Sequence, residues 1–372
     1  MLKVIELFAG VGCQNQALKN IGINFEIVGI SEIDKFAISS YFQLHPEVDK
    51  SFNLGDICKI KELPKADLWT YSFPCQDLSC AGKQAGIKEG TRSGLLLEVE
   101  RLLNTANSNK ELPKYLLLEN VKNLVGKRFK PDFDKWLYKL ETLGYTNYWQ
   151  VLNAKDYGIP QNRKRVFVVS ILGKHEKYEF PKPKELNLKL KDMLEDKVDE
   201  KYYLSNSMIN YFTETNKNES NFPRGERFLQ NIIRKRQDIA NTITTRAGNR
   251  VTDNFVVDRL GGIFDSQNSK HQAGSIYNKY GICPTLDTMQ GGWRQPLIID
   301  NKKFTNELIR ELYGSIRKLT PKECWRLMGW KDEQFNKLSS ISNTQLYKQA
   351  GNGIVINVLE EIFKMLFYKN NE

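Results

Sequence analysis

Four short apolar runs in the first third of the chain each end in polar or glycine-rich residues, and helical stretches lie between most of them. Lys3-Val4-Ile5-Glu6-Leu7-Phe8 enters Ala9-Gly10-Val11-Gly12 and then a helix of about ten residues around Gln16, Ala17 and Ile21. Glu26 to Ser31 ends in Glu32 and precedes a helix from Lys35 to about Leu44. Asp67-Leu68-Trp69-Thr70-Tyr71 is bounded by Pro74, and Tyr115 to Leu118 delivers Glu119-Asn120-Val121. Strand and helix alternating in this way point to an open α/β sheet. Such sheets bind ligands outside the carboxyl ends of their strands, so the residues released there are the candidates for function.

Cys75 is one of them. It stands where the third run gives way to a long polar loop, from Gln76 to Ser93, with glycines at 82, 86 and 90. Long loops in compact domains are commonly functional. A free cysteine taken alone is more often a small buried hydrophobe, so its neighbours have to decide. Gly10 and Gly12 let the backbone turn sharply and a ligand come close. Asn15 stands where a third glycine of the dinucleotide fingerprint would be, which argues against a pyrophosphate. Glu32, about twenty residues after that turn, is placed to accept both hydroxyls of a ribose. Asp56, in Gly55-Asp56-Ile57, reads as a strand-end acid able to accept from the amine of adenine. Together these describe a nucleoside pocket, and S-adenosylmethionine is such a ligand.

Composition narrows the chemistry. The chain has 372 residues, room for two or three domains, with 40% hydrophobic and 27% charged residues. Its six cysteines include no Cys-x-x-Cys pair and it has three histidines, which leaves a zinc site or a Ser-His-Asp triad little to work with. No metal is expected. The formal charge of +11 favours a polyanionic partner. Neither a signal-peptide core nor a membrane-length apolar run is present, so the cell interior is expected.

Further along, Gly94 to Leu103 has helical periodicity. Phe133 to Leu143 is an amphipathic helix with Trp136, Leu137 and Leu140 inward and Gly144 at its C-cap. Tyr148–Leu152 and Val166–Ile171 read as a strand pair flanking the basic segment Tyr157 to Arg165. Composition shifts near Pro181-Lys182-Pro183, and residues 184 to about 315 are polar and turn-rich. Two Thr-rich stretches there, at 241–258 and 284–300, read as β-hairpins whose polar and basic tips suit a DNA groove. Ile316 to Trp330 reads as a helix capped by Thr320, Pro321 and Glu323 and stopped by Gly329. Gln349-Ala350-Gly351-Asn352-Gly353 then opens an apolar helix through Val358 and Ile362, with strand-loop-helix character.

Phe8-Ala9-Gly10-Val11-Gly12, Pro74-Cys75-Gln76, Glu119-Asn120-Val121, Gln161-x-Arg163-x-Arg165 and Gln349-Ala350-Gly351-Asn352 occur in one order from Val4 to about Ile362. In that order and rough spacing they resemble the cytosine-5 DNA methyltransferase family. Thr70 to Ser79 and Gly90 to Leu96 are most similar to the CG-specific enzymes of mollicutes. Thr285 to Thr288 is less so, and a shared recognition sequence is not implied.

The resemblance implies a Rossmann-like methyltransferase domain using S-adenosylmethionine, and a smaller, irregular, β-rich target-recognition domain. The expected division is 1–183 plus 345–372 for catalysis, 184–330 for recognition and 331–344 as connection. Cys75 would add as thiolate to carbon 6 of a flipped cytosine. Glu119 would bond N3 and the exocyclic amine. Arg165 would hold the base carbonyl and, with Arg163, raise the potential that favours thiolate. The resemblance also assigns Phe8, Ala9, Val11, Ile33, Ile57 and Pro74 to the donor site, with Leu95, Asn352 and Gly353. Contacts to DNA are expected from Gln76, Ser79, Lys83, Arg92 and Gln161. The recognition region would add Arg246, Thr285, Thr288, Gln290, Gly291 and Arg294. Double-stranded DNA is the expected partner of a cytoplasmic, nucleoid-associated monomer from a bacterial restriction-modification system or a phage, with a cognate endonuclease left open. Two rivals stand: a tRNA cytosine-5 methyltransferase with a similar Pro-Cys-Gln, and a DNA-binding relative without catalysis.

Overall fold

The computed structural model describes residues 1–74, 93–203, 259–262, 275–277, 279, 282–286, 295–299 and 316–368. Cys75, Gln76, Ser79, Lys83 and Arg92 lie outside the described residues. So do Arg246, Thr288, Gln290, Gly291, Arg294 and the whole first hairpin expected at 241–258.

A six-stranded sheet carries the site. Its spatial order is β2 (Phe25–Ser31), β1 (Leu2–Leu7), β3 (Leu68–Tyr71), β4 (Tyr115–Val121), β7 (Lys164–Leu172) and β5 (Tyr145–Asn153). The first four strands are parallel, and β7 lies antiparallel between β4 and β5. The chain leaves β1 for β2 on one side and reaches β3 on the other. That reversal opens a crevice between the loops that follow β1 and β3.

Residues alternate between two covered faces, which is why the strands read as continuous apolar runs. On one face Val4, Leu68, Leu117 and Phe167 pack under α1 (Cys13–Asn20) and the C-terminal helix α8 (Ile356–Phe367), which supplies Leu359, Ile362 and Phe363. On the other, Ile5, Trp69, Leu116 and Leu118 pack under α3 (Leu96–Ser108) and α4 (Lys130–Thr142) through Val99, Leu102, Phe133 and Trp136. The helix expected from Lys35 is α2 (Lys35–Leu44), capped by Asp34. Gly144 follows α4 at φ +94°, a conformation that glycine adopts without strain.

Three expectations are corrected. The described ends of 284–300 do not pair with each other as a hairpin would: β10 (Cys283–Pro284) pairs in parallel with β6 (Gln161–Asn162), whereas β11 (Leu297–Ile299) pairs with β9 (Ser275–Tyr277) and β12 (Ile316–Lys318). β9 also pairs with β8 (Arg259–Gly262). Ile316–Lys318 is thus strand, and the capped helix α5 (Pro321–Arg326) starts after it with the Thr320–Glu323 box formed. Gln349 to Asn352 ends helix α7 (Asn343–Asn352), which follows the short α6 (Asp332–Phe335), so helix rather than strand leads into this motif.

One hydrophobic cluster draws on distant parts of the chain. Leu190, Met193, Leu286 and Ile298 share one cluster with Trp325, Ala17 and Leu359. Nearby, Arg317 and Glu323 form a fully buried two-bond ion pair, 2.8 and 2.9 Å. Among the described residues no helix is long and apolar enough to cross a membrane.

Candidate active site

Along the turn after β1, Phe8 and Gly10 keep accessible surface while Ala9, Val11 and Gly12 are buried. Phe8 sits at φ +58°, rare for a side chain of its size and the kind of strain that collects at ligand sites. A Cβ at Gly10 would meet nothing within 4 Å, whereas one at Gly12 would come within 2.4 Å of His45 Nε2. Gly10 therefore faces open space and Gly12 the protein, with Ala9 and Val11 buried behind the turn. The Glu32 carboxylate ties this turn to the next loop, accepting from the Gly10 N–H at 2.9 Å and from those of Ile33 and Asp34 at 2.8 Å. Ile33 is 71% exposed. Asp56 starts a 3-10 turn, accepting from the Cys58 N–H at 3.1 Å, and is not at a strand end as expected. The Ile57 side chain is buried beneath α3, which leaves only its backbone for any ligand. Asn53 links the two acids, its Oδ1 accepting from the N–H groups of Glu32 and Gly55.

Under the turn lies a buried polar cluster. Glu6 accepts from Tyr41 Oη at 2.5 Å and from the Asn15 N–H at 2.9 Å, at the start of α1. His45 meets the Val11 carbonyl through Nε2 at 3.2 Å and the Lys19 ammonium through Nδ1 at 2.9 Å. A carbonyl can only accept and an ammonium only donate, so the neutral ring carries its proton on Nε2. Burial, and then the Lys19 charge, push His45 down from 6.5 to about 3. Between those values the unfolded chain binds the extra proton, so this contribution is whole above about 6.5 and is lost as pH falls toward 3. Glu6 runs the other way. Burial raises it from 4.5 to about 7, so its contribution is whole below 4.5 and is lost as pH rises through 7. Below 4.5 only the histidine slope remains of these two. There the unfolding free energy should fall by at most about 1.4 kcal/mol per pH unit on account of His45. Urea titrations should show a shallower acid slope in His45→Asn; equal slopes would remove His45 as the source.

Beyond β3 and β4 the chemistry gathers. The parallel register pairs Thr70 with Leu117 and Tyr71 with Leu118, so Ser72 comes beside Glu119. Asn120 Nδ2 donates to the Phe73 carbonyl at 3.0 Å and fixes the path leading to Pro74. Arg165 Nε lies 3.2 Å from Glu119 Oε1, both side chains largely buried. Burial raises the Glu119 carboxyl above its usual range, against the pull of Arg165, Arg163 and the Ser72 hydroxyl. A carboxyl so placed is suited to carry a proton to a substrate.

Arg163 plays a different part from Arg165. It is 3% exposed, and its guanidinium donates to the carbonyls of Leu286 (2.7 Å), Gly351 and Gly353 (both 2.8 Å). Its charge reaches Glu119, but its bonds fasten backbone. Gln161, expected against DNA, is fully buried: Nε2 donates to the Leu327 carbonyl at 2.7 Å and Oε1 accepts from the Leu286 N–H at 3.1 Å. No surface of it is left for a duplex. Thr285 is half-buried and donates to the Asn162 carbonyl at 2.7 Å. Leu95 packs partly against the α3 core. Asn352 is exposed between the two glycines that Arg163 holds, while Gly353 packs near Cys13.

A family model described as C-5 cytosine-specific DNA methylase matches residues 2–368. The chain belongs to this family. The methylase is 36% identical to the type II methyltransferase M2.ScrFI of Lactococcus lactis subsp. cremoris, over 99% of both chains. It is 31% identical to the orphan methyltransferase M.SPRI of Bacillus phage SPR, over 99% of this chain and 98% of that one. M.SssI of the mollicute Spiroplasma monobiae is 37% identical over 59% of this chain and 72% of its own. Among solved structures, Dnmt2 methyltransferase of S. pombe superposes with a TM-score of 0.67 at 19% identity, covering both chains fully, which bears on the fold. The protein is thus a DNA (cytosine-5-)-methyltransferase of restriction-modification type. The family takes its methyl from S-adenosylmethionine.

Several contacts in the methylase's site were not foreseen. Asn53, Asn120 and Ser72 act through hydrogen bonds and register between strands far apart in sequence. Tyr41 and His45 looked like ordinary members of a helix and its end. An acid at position 6 inside an apolar run was the one available signal of the cluster beneath the turn.

Proposed function

We propose that this methylase binds S-adenosylmethionine in the crevice bordered by Phe8, Gly10, Glu32, Ile33, Asp56 and Asn352, and methylates a flipped cytosine beside Glu119 and Arg165. The donor residues fit. Gly10 opens on empty space, Ile33 offers an exposed apolar face for a base, and the Glu32 and Asp56 carboxylates lie on loops joined through Asn53. S-adenosylmethionine supplies, when bound, an electrophilic methyl on a sulfonium centre.

The protein's own groups perform the rest. Carbon 5 of cytosine is a poor nucleophile until something adds at carbon 6. Cys75, the residue after Pro74, provides a thiolate that forms the sulfur–carbon 6 bond. The displaced electron pair moves toward carbon 5 while N3 takes a proton from Glu119. Arg165 holds the Glu119 carboxyl and the base carbonyl. Once carbon 5 carries the methyl, loss of its proton to a base restores the double bond, expels the Cys75 thiolate and returns the N3 proton to Glu119. The base must leave the duplex first, at a cost of a few kcal/mol. Residues from 184 onward would read the sequence, with Thr285 on that side of the corner, and the enzyme would act as a monomer, with or without a cognate endonuclease.

The observation that carries this reading is the raised, arginine-held Glu119 carboxyl one strand from Pro74. A duplex bearing 5-fluorocytosine tests it, because fluorine at carbon 5 cannot leave as a proton does. Protein, donor and that duplex should give a covalent complex that peptide mapping locates at Cys75. No adduct, or one on another residue, overturns the mechanism.

A further inference from the structure

The antiparallel register sets Val121 of β4 opposite Arg165 of β7. The residue after Val121 and the residue before Arg165 are both lysines: Lys122 opens the 3-10 turn that follows β4 and Lys164 begins β7, both exposed at the same sheet edge. Among the described residues neither has a carboxylate partner. Lys127 and Arg128 follow on the loop after β4, also exposed, with the Arg128 guanidinium 5.5 Å from the Phe129 ring centre. Lys130 is neutralised by Asp134 and does not count. The sequence places no acid between residues 120 and 131, nor between 157 and 165. Like charges set opposite one another are unfavourable in the free protein. They become favourable once a polyanion lies across them. Lys122 is three residues beyond Glu119 and so at most about 11 Å from it along the chain.

We propose that Lys122 and Lys164, supported by Lys127 and Arg128, form a phosphate clamp on the DNA strand that carries the target cytosine. The clamp rests on the reaction assigned above, since Glu119 and Arg165 fix where that cytosine must sit. It would hold the backbone on both sides of the β4–β7 junction while the base turns inward. Because such contacts read no sequence, they should strengthen binding to any duplex.

Anisotropy of a fluorescent mixed-sequence duplex, titrated with the full-length protein over a series of KCl concentrations, measures this directly. Each phosphate contact contributes about 0.9 to the slope of log K against log salt. The double variant Lys122→Gln/Lys164→Gln should flatten the slope by roughly 1.8, and the Lys122→Arg/Lys164→Arg pair should restore it. Lys174→Gln/Lys177→Gln, an equal charge change beyond the far end of β7, should leave the slope at the parent value. A double glutamine variant with the parent's slope, or an arginine pair that fails to restore it, overturns the clamp. Binding is read here without methyl transfer. A parent protein that binds duplex and forms no 5-fluorocytosine adduct would instead sink the reaction, and with it the clamp's assignment to the target strand, while the salt slopes would still report the phosphate contacts.

Discussion

Glu119→Gln is expected to lower kcat for methyl transfer by about 10²–10⁴-fold, the range that a positioned proton donor supplies. Glutamine keeps the shape of the side chain and can still donate a hydrogen bond to N3. It cannot hand over a proton, so the charge that develops on the ring during thiolate attack stays uncompensated. The pH dependence separates this role from simple positioning. Burial raises the Glu119 carboxyl, so its protonated form persists above the usual carboxylate range, and Arg165 limits the rise. The active form is the protonated one. Parent kcat should therefore fall as pH climbs through the raised value, and that fall should be missing from the glutamine variant. The measurement is transfer of labelled methyl to DNA across a pH series at saturating donor. A drop of less than about tenfold, or a variant that keeps the parent's alkaline decline, would show that the proton comes from elsewhere.

Much of this site could be read in advance because its parts are local. A strand buried on both faces is an apolar run whatever packs on it, so β1, β3 and β4 announced themselves, and so did the residues at their ends. The cap at Thr320 is equally local, since Thr-Pro-x-Glu satisfies its own backbone within one turn. Gln161 was misjudged, and the backbone bonds of Arg163 escaped notice, for the opposite reason. Two arginines and a glutamine between apolar strands look alike in sequence, yet only Arg165 reaches the cleft. What separates them is distance along the chain: Arg163 and Gln161 bond to backbone at residues 286, 327, 351 and 353, and nothing nearby in the sequence signals those partners. The two-residue strands β6 and β10 were hidden likewise, because long-range hydrogen bonds and not a repeating pattern set their register. Asp56 was read as a strand end and is a turn cap, since both put an acid before an apolar residue.

Arg163→Met should then be the most damaging change away from the reacting atoms, costing on the order of 3–5 kcal/mol of stability. Methionine fills much of the volume but leaves the carbonyls of Leu286, Gly351 and Gly353 without their charged donor in a buried setting. Those carbonyls belong to segments far apart in the chain, so the loss loosens their joint docking and not a single contact. Asn352 lies between two of the three. If it lines the donor crevice as proposed, freeing its neighbours should also raise KM for S-adenosylmethionine, by about tenfold for each 1.4 kcal/mol of ordering lost. Urea unfolding and donor-dependent initial rates, measured on one preparation at a temperature where the variant stays folded, report the two effects separately. Arg163→Lys should fall between parent and Met in both, because one ammonium cannot span three carbonyls as a planar guanidinium does. A variant that loses stability while KM for the donor holds at the parent value would detach Asn352 from the crevice. One that loses neither would mean that the arginine fastens nothing the fold requires.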